Sequence, residues 1–343
     1  MRNPARPLSA ATLVLVLLTL PAALSPAQEA EDSLSLNIVL GYGPPNLDGY
    51  GSTGFAPIDF DIIDAPDANS RDLGTGWGGG VALATLEYSR TIPAFVGEGP
   101  FFSGNNLELS ARAELSPVTV EAVGSATLTP IAFLKFQAGA AVGTGWTLGF
   151  VGLALRPTAP GEMEEIPFGG ALVRAWLSGT FQFDLAALLP GDWNHVVVQA
   201  VAKFEYRALS SADPGQAWVW QADAGLNFNG WRHLGTYVLG YQMPRKLNFA
   251  GVMVETEAWL GDLIDVSTMA TAGWGSDFVT VTISPLANLA FDVTNSLTFV
   301  VQIKSTQDWS DGTTQSNYLD GRDYEGRLWK LDRIVFSYTR KLN

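Results

Sequence analysis

Apolar and polar residues alternate over long stretches of this chain. In residues 105–116 the odd positions from Leu107 onward are all leucine or alanine, and the even positions are all polar or charged. The same period of two recurs in residues 118–129, 195–207 and 218–228. Alternation of this kind is typical of a β-strand that has one apolar face and one polar face. The pattern therefore predicts an all-β protein.

The length of these runs narrows the architecture. Each covers about 11 residues, which is the length that a tilted strand needs to cross a bilayer and about twice the length of an ordinary soluble strand. Fifteen candidate segments lie at about 34–42, 79–90, 105–115, 118–128, 132–142, 145–155, 171–185, 195–207, 217–228, 231–241, 249–260, 277–284, 287–293, 297–305 and 327–341. Bacterial barrels normally have an even number of strands. We therefore expect a closed antiparallel transmembrane β-barrel of about 14 strands, with 12 and 16 allowed.

Turn residues separate many of these segments. Asn229-Gly230 is the favoured pair for a two-residue hairpin turn, with Phe228 and Trp231 on either side. Prolines should lie between strands, because a proline cannot donate a hydrogen bond to the ladder. We therefore expect tight connections at Ser116-Pro117, Asn229-Gly230, Thr129-Pro130, Ser284-Pro285 and Asn295-Ser296.

One of these turns predicts a register. If Ser116-Pro117 is a two-residue turn, Leu115 faces Val118 on the next strand. Counting along the polar face then places Arg112 opposite Glu121, and we expect a cross-strand ion pair there. A slip of one residue would turn Glu121 towards the apolar face, so the register should be firmly specified.

The N-terminus predicts export. Arg2 and Arg6 precede an apolar run at 10–20, and small residues at 25–27 follow. This is the layout of a secretory signal peptide, expected at residues 1–27, and an uncleaved anchor is the alternative. The run is shorter than the roughly 20 residues of a membrane helix, which favours cleavage. Residues 28–343 then form a single barrel domain with a long loop at about 43–78, and the absence of cysteine excludes disulfides.

Composition excludes some classes of function. The net charge is −14, and removal of the signal peptide with its two arginines leaves −16, which argues against nucleic-acid binding. Apolar residues make up 47% of the chain, so they must pack in a sandwich or solenoid core or face lipid. Aromatic residues near the ends of runs favour lipid, because such residues form girdles at membrane interfaces; packing in a soluble β core is the alternative. The candidates are Trp146, Trp193, Trp218, Trp231, Trp259, Phe228, Tyr206 and Tyr241.

Signal peptide, alternating runs, tight turns and aromatic strand ends together resemble the outer-membrane β-barrel class, porin-like proteins included, without matching a specific family. The resemblance covers nearly all of residues 34–343. It implies a location in the outer membrane of a bacterial cell, with lipid as the partner of the apolar face.

If the apolar face meets lipid, the polar face lines the lumen. A barrel of about 14 strands is wider than the roughly 8 strands whose interior side chains can fill, so a lumen or a plug is expected. The wall is nearly balanced in sign, and the hypothesis is a channel for small polar solutes; side chains that lace the interior shut are the alternative. The predicted pore-lining residues are Glu108, Arg112, Glu114, Glu121, Lys135, Gln137, Arg174, Asp184, Lys203, Glu205, Arg207, Asp223, Glu255, Glu257 and Lys304.

Catalysis is not expected. The chain has two histidines, His195 and His233, and neither stands in a recognisable catalytic motif. We expect no cofactor and no metal. Acidic residues cluster in two predicted loops, without the spacing of a known calcium loop, so solvated surface charge is the simpler interpretation. Binding, adhesion or envelope structure through these loops is the chief alternative to transport. The clusters are Asp59, Asp61, Asp64 and Asp67, and Asp308, Asp311, Asp320 and Asp323.

Overall fold

The computed structural model describes residues 30–43, 79–148, 152–155, 164–213, 216–221, 227–260, 278–310 and 323–342. The predicted signal peptide and residues 44–78 of the predicted long loop lie outside the described residues. So do Asp59, Asp61, Asp64 and Asp67, together with the side chains of the second acidic cluster.

Twelve strands close into an antiparallel barrel. The first strand pairs with both the second and the last, so the sheet has no free edge. The barrel strands are β1 (Glu31–Gly43), β2 (Gly79–Pro93), β3 (Asn106–Leu115), β4 (Thr119–Ile131), β5 (Leu134–Gly145), β8 (Leu172–Asp184), β9 (Val196–Leu209), β11 (Gly230–Gln242), β12 (Leu247–Trp259), β13 (Thr280–Ala290), β14 (Asn295–Ser310) and β15 (Asp323–Lys341). They lie around the wall in chain order.

The other three strands are short and stand outside the wall order. They are β6 (Gly152–Leu155), β7 (Glu164–Glu165) and β10 (Trp218–Gln221), and they form a separate three-stranded sheet. Two of the fifteen predicted wall segments, 145–155 and 217–228, therefore contribute to this sheet instead of the barrel. We call it the inward sheet, for the contacts given below.

The number of wall strands falls by one more at Ser284-Pro285, which we expected to be a turn between two strands. Both residues lie inside β13, where Pro285 pairs with Val252 of β12. On the other side, the ladder to β14 runs to Ile283 and resumes at Leu286. The ladder is interrupted where the proline lacks an N–H, so one continuous strand replaces two.

Two further predicted connections lie within strands. Thr129-Pro130 belongs to β4, and Asn295-Ser296 begins β14. Asn229-Gly230 does not close a hairpin either, because Gly230 begins β11 and pairs with Arg207 of β9. The side chain of Asn229 instead accepts a hydrogen bond from the backbone N–H of Leu209 and donates to its carbonyl oxygen.

The register predicted from Ser116-Pro117 is wrong. Glu114 faces Glu121, and Arg112 faces Val123. The central residues of the turn are Pro117-Val118, since the N–H of Ser116 donates to the carbonyl oxygen of Thr119 at 2.9 Å. Proline is favoured at the first central position of a β-turn because its φ is already set. The correction leaves every side chain on its predicted face.

The two faces of the wall differ in chemistry. In an isolated barrel only the inner face can be shielded from solvent, so the buried Glu121, Glu205 and Arg207 identify it. Large apolar side chains on the opposite parity are exposed, and they belong to the outer face: Leu109, Val120, Phe136, Leu177, Phe204, Tyr237, Leu239, Val252 and Phe336. An apolar outer face on strands of this length makes the fold a transmembrane β-barrel. The described residues include no helix long and apolar enough to span a membrane.

The two ends of the barrel also differ. The start of β1, the end of β15 and the short β4–β5, β11–β12 and β13–β14 turns lie at one end, which we call the turn end. At the opposite end, the connections at 146–171 and 210–229 contain the strands of the inward sheet. Its Gln221 donates to Thr119 on the inner face of β4, and the guanidinium of Arg207 lies 4.8 Å from the ring of Trp218.

An apolar cluster joins the inward sheet to the wall. Leu172 of β8 and Leu209 of β9 pack with residues of β6 and β10, and the side chains of Leu172, Leu209 and Trp218 are 0% exposed. Trp218 and Phe228 were expected in an interfacial girdle, but both are fully buried. Trp193, Trp231 and Tyr206, by contrast, are exposed.

Candidate functional site: the charged inner wall

Glu205 is the centre of an ion-pair network on the inner face. Its side chain is fully buried, and its carboxylate lies 2.6 Å from Arg232 of β11 and 2.6 Å from Lys203 of its own strand. Arg174 of β8 approaches the same carboxylate at 3.8 Å. A buried carboxylate is tolerable only when it is paired, and Glu205 has ion pairs with Arg232 and Lys203 and accepts hydrogen bonds from Arg232 at Oε1.

The network continues in both directions. Arg174 donates from Nε to Glu121 of β4 at 2.7 Å, and Arg232 donates to Glu257 of β12 at 2.5 Å. The order Glu121, Arg174, Glu205, Arg232, Glu257 therefore alternates in sign around nearly half the barrel. Arg174 and Arg232 each lie between two anions, so this part of the network requires little screening from water.

Gly143 lets this network cross a strand. Glu121 and Arg174 lie on β4 and β8, and β5 runs between them. Gly143 of β5 faces Glu121, and a Cβ there would lie 2.8 Å from the carbonyl oxygen of Val120 and 3.1 Å from Cβ of Glu121. A residue without a side chain is needed, because Glu121 occupies that space.

Trp176 also occupies the space above a glycine of β5 on the inner wall. It faces Gly139 of β5, where a Cβ would lie 2.2 Å from the indole ring. The indole N–H donates to Gln137 at 3.0 Å. The Lys203 ammonium lies 4.5 Å from the ring centroid, within cation–π distance. Trp176 thus packs flat on a glycine and supports one cation of the network.

A polar cavity of about 430 Å³ lies along the other side of the network, between β9 and β15. The pairing brings Asp332 and Arg333 to it through an irregularity in β15, where the register shifts between Gln302 and Ile303 of β14. Asp332 is 1% exposed. The lining residues are Val201, Lys203, Leu234, Gly235, Thr236, Glu255, Thr256, Glu257, Thr280, Thr282, Gln302, Lys304, Asp332 and Arg333. Charges of both signs therefore surround the cavity.

The predicted pore-lining residues fall into separate groups. The ion-pair network contains Glu121, Arg174, Lys203, Glu205 and Glu257. Two more, Glu255 and Lys304, line the cavity. Arg207 contacts the inward sheet, donating to Asn227, and Arg112 pairs with Glu114 at 2.8 Å on its own strand.

The remaining predicted residues lie nearer the turn end or outside the described residues. Glu108 faces Thr127, Lys135 faces Thr180, and Gln137 donates to Thr127. Asp184 ends β8 and its carboxylate lies 2.6 Å from Nδ1 of His195. Asp223 lies outside the described residues.

Several side chains of the candidate site escaped the sequence analysis. Arg232 stands beside Trp231 on the opposite parity, so the alternation rule applied to residues 231–241 could have found it. Asp332 and Arg333 are consecutive, and alternation places only one of two consecutive residues inside. Their shared position depends on the register shift in β15, for which the sequence offers no signal that we recognise.

Comparison with known proteins gives structural similarity without a family. No family model matches the sequence. No curated protein matches it. A bacterial polysaccharide outer membrane secretin is 9% identical, with a TM-score of 0.33, over 90% of this chain and 98% of that one. A Pseudomonas aeruginosa FadL homologue is 12% identical, with a TM-score of 0.33, over 92% and 90% of the two chains.

Pseudomonas aeruginosa OccK2 (OpdF) is 10% identical over 92% of this chain and 98% of its own, with a TM-score of 0.22. Similarities at these TM-scores carry no argument about function. The closed strand order and the apolar outer face are what make this chain a transmembrane β-barrel.

Proposed function

We propose that this protein is a channel of a bacterial outer membrane that lets small polar solutes pass along its charged inner wall. One observation carries the proposal: a polar cavity of about 430 Å³, lined by charges of both signs, lies inside a barrel whose outer face is apolar. Transport requires no catalytic step, and we assign none.

Barrel width supports the proposal. Side chains alone fill the interior of a barrel of about 8 strands, whereas 16 to 18 strands leave a wide aqueous channel. With twelve strands this barrel lies between those cases. The inward sheet occupies part of the interior beside β4, β8 and β9. A path for solutes would therefore run along the opposite wall, past β11 to β15.

The arrangement of charge supports small polar solutes as cargo. Most charged groups of the inner wall are paired with opposite charges, so the wall has no large excess of one sign. A wall of this kind offers hydrogen bonds to hydrated solutes and discriminates weakly between small cations and anions. The predicted signal peptide agrees with an outer-membrane location.

Conductance across planar lipid bilayers tests the proposal. The full chain, refolded in detergent and shown to be folded by its faster migration on an unheated gel, should produce discrete steps with weak ion selectivity. Lys304→Glu should shift the selectivity towards cations, because it reverses a charge at the cavity. Lys246→Glu is the matched control, since Lys246 is exposed in the β11–β12 turn. Folded protein that gives no steps would contradict the proposal and favour a structural or adhesive role.

A further inference from the structure

The cavity beside the ion-pair network contains two opposite charges in one row of the wall. Glu255 of β12 pairs with Thr282 of β13, and Thr282 pairs with Lys304 of β14. Adjacent strands are about 4.8 Å apart, so the backbones at Glu255 and Lys304 are separated by roughly 10 Å. The short side chain of Thr282 leaves the space between them open to the cavity.

Most other charges at the cavity already have an opposite charge beside them. Lys203 pairs with Glu205, Glu257 pairs with Arg232, and Arg333 pairs with Asp332. These ion pairs neutralise most of the charged side chains that line the cavity, and two charged groups remain without one.

Glu255 and Lys304 are those two groups. Glu255 accepts a hydrogen bond from the neutral amide of Gln302 at 3.3 Å. Neither Glu255 nor Lys304 forms an ion pair with any residue in the part of the chain that the structure describes. An anion and a cation thus face the same cavity without an ion pair to a described residue.

Asp332 supplies a second, independent observation that points to a ligand at this cavity. It is 1% exposed and lines the cavity, and its Oδ2 accepts from Arg333. Its Oδ1 is buried without a hydrogen-bond partner among the described residues. A buried acceptor left unpaired is costly, and a donor from a bound molecule would satisfy it.

We infer that this cavity binds a small zwitterion of the amino-acid type, with its ammonium group at Glu255 and Asp332 and its carboxylate at Lys304. The inference rests on the proposed function and names the class of solute for that pathway. A solute with only one charge would leave either Glu255 or Lys304 unpaired, whereas a zwitterion satisfies both. A cavity of about 430 Å³ is large enough for such a solute, because pockets for small ligands begin at about 300 Å³.

Calorimetric binding to the refolded full chain tests the inference independently of conduction. The probes are L-glutamine, N-acetyl-L-glutamine without the ammonium charge, and L-glutamine amide without the carboxylate. L-glutamine should bind about tenfold or more tightly than either derivative, because each derivative loses one charge-assisted contact. Equal affinity for all three probes, or no binding of any, would overturn the inference.

Matched variants locate the site. Lys304→Met and Glu255→Gln should each weaken L-glutamine binding by about tenfold or more, whereas Lys246→Met and Glu98→Gln, at exposed positions, should leave it unchanged. If Lys304→Met does not fold by the gel test, Lys304→Gln replaces it. Unchanged binding in both cavity variants would overturn the site.

Failure of the inference is distinguishable from failure of the proposed function. If the protein gives conductance steps but binds the three probes equally in calorimetry, the zwitterion site is refuted and the channel remains supported. Selective binding of L-glutamine by a protein that gives no conductance would support the site and refute transport.

Discussion

Glu205→Gln is the perturbation that most directly tests the ion-pair network. The substitution keeps the shape of the side chain and removes its charge. Arg232 would still pair with Glu257, and Arg174 would still pair with Glu121. Lys203 is the group left stranded, because Glu205 is the only anion that it contacts among the described residues.

Breaking a fully buried ion pair from one side costs about 3–5 kcal/mol. The side chain of Lys203 is 24% exposed, so water recovers part of that loss. We therefore expect Glu205→Gln to lower the free energy of unfolding by about 2–3 kcal/mol. Urea unfolding of the refolded barrel, followed by tryptophan fluorescence and by the unheated gel band, measures this difference.

A matched control and a double variant sharpen the result. Glu108 lies on the same inner face and forms no ion pair with a described residue, so Glu108→Gln should change stability by no more than about 0.5 kcal/mol. Adding Lys203→Met to Glu205→Gln removes the stranded cation and should recover part of the loss, a coupling of about 0.5–3 kcal/mol. Equal losses at Glu205 and Glu108, or strictly additive effects in the double variant, would refute the reasoning.

Three further predictions concern the outer face, a glycine contact and a turn. Leu109→Arg places a charge on the lipid face and should destabilise the inserted barrel by about 2–4 kcal/mol, while Ser110→Arg on the inner face should cost little; equal unfolding losses would reverse the assignment of faces. Gly139→Ala should cost about 1–3 kcal/mol in urea unfolding, because its Cβ would lie 2.2 Å from the Trp176 ring, and an unaffected variant would show that the ring is free to move. Hydrogen bonds from Thr294 and Asn295 lower the pKa of Asp292 to about 2 from its ordinary value of 3.8. The contribution of these hydrogen bonds to folding is therefore present above about pH 4 and lost as the pH falls through about 2. An NMR titration of Asp292 with a midpoint near 4 would contradict this prediction.

The sequence predicted the faces of the wall better than its strand count. Alternation determines which side chains share a face, and the residues on each parity follow it through β3, β4 and β9. Whether a run joins the wall is a different question. Residues 148–155 contain no polar side chain, and residues 217–220 are apolar throughout. All four residues of β6 are buried, as are the first three of β10. A continuous apolar run indicates a strand covered on both faces, and this signal separates the inward sheet from the wall.

The register error has an equally local cause. The Arg112 and Glu121 pair followed from taking Pro117 as the second central residue of its turn, whereas proline favours the first. The actual partner of Glu121 is Arg174, two strands away across Gly143. Such a contact depends on closure of the barrel and on the space above a glycine, and strand alternation contains neither. Glu255 was predicted on the inner wall, but the position of Asp332 at the same cavity was beyond sequence prediction, because it depends on the irregularity in β15.

The most direct test of the central claim is solute entry into liposomes that contain the folded full-length chain. Osmotic swelling in a graded series of small neutral sugars should be fast for the smallest and fall as solute size increases, since the proposed path along β11 to β15 shares the barrel interior with the inward sheet. Heat-unfolded protein in the same liposomes provides the baseline. Swelling at the baseline rate for every solute, with the barrel shown to be folded and inserted, would contradict the account.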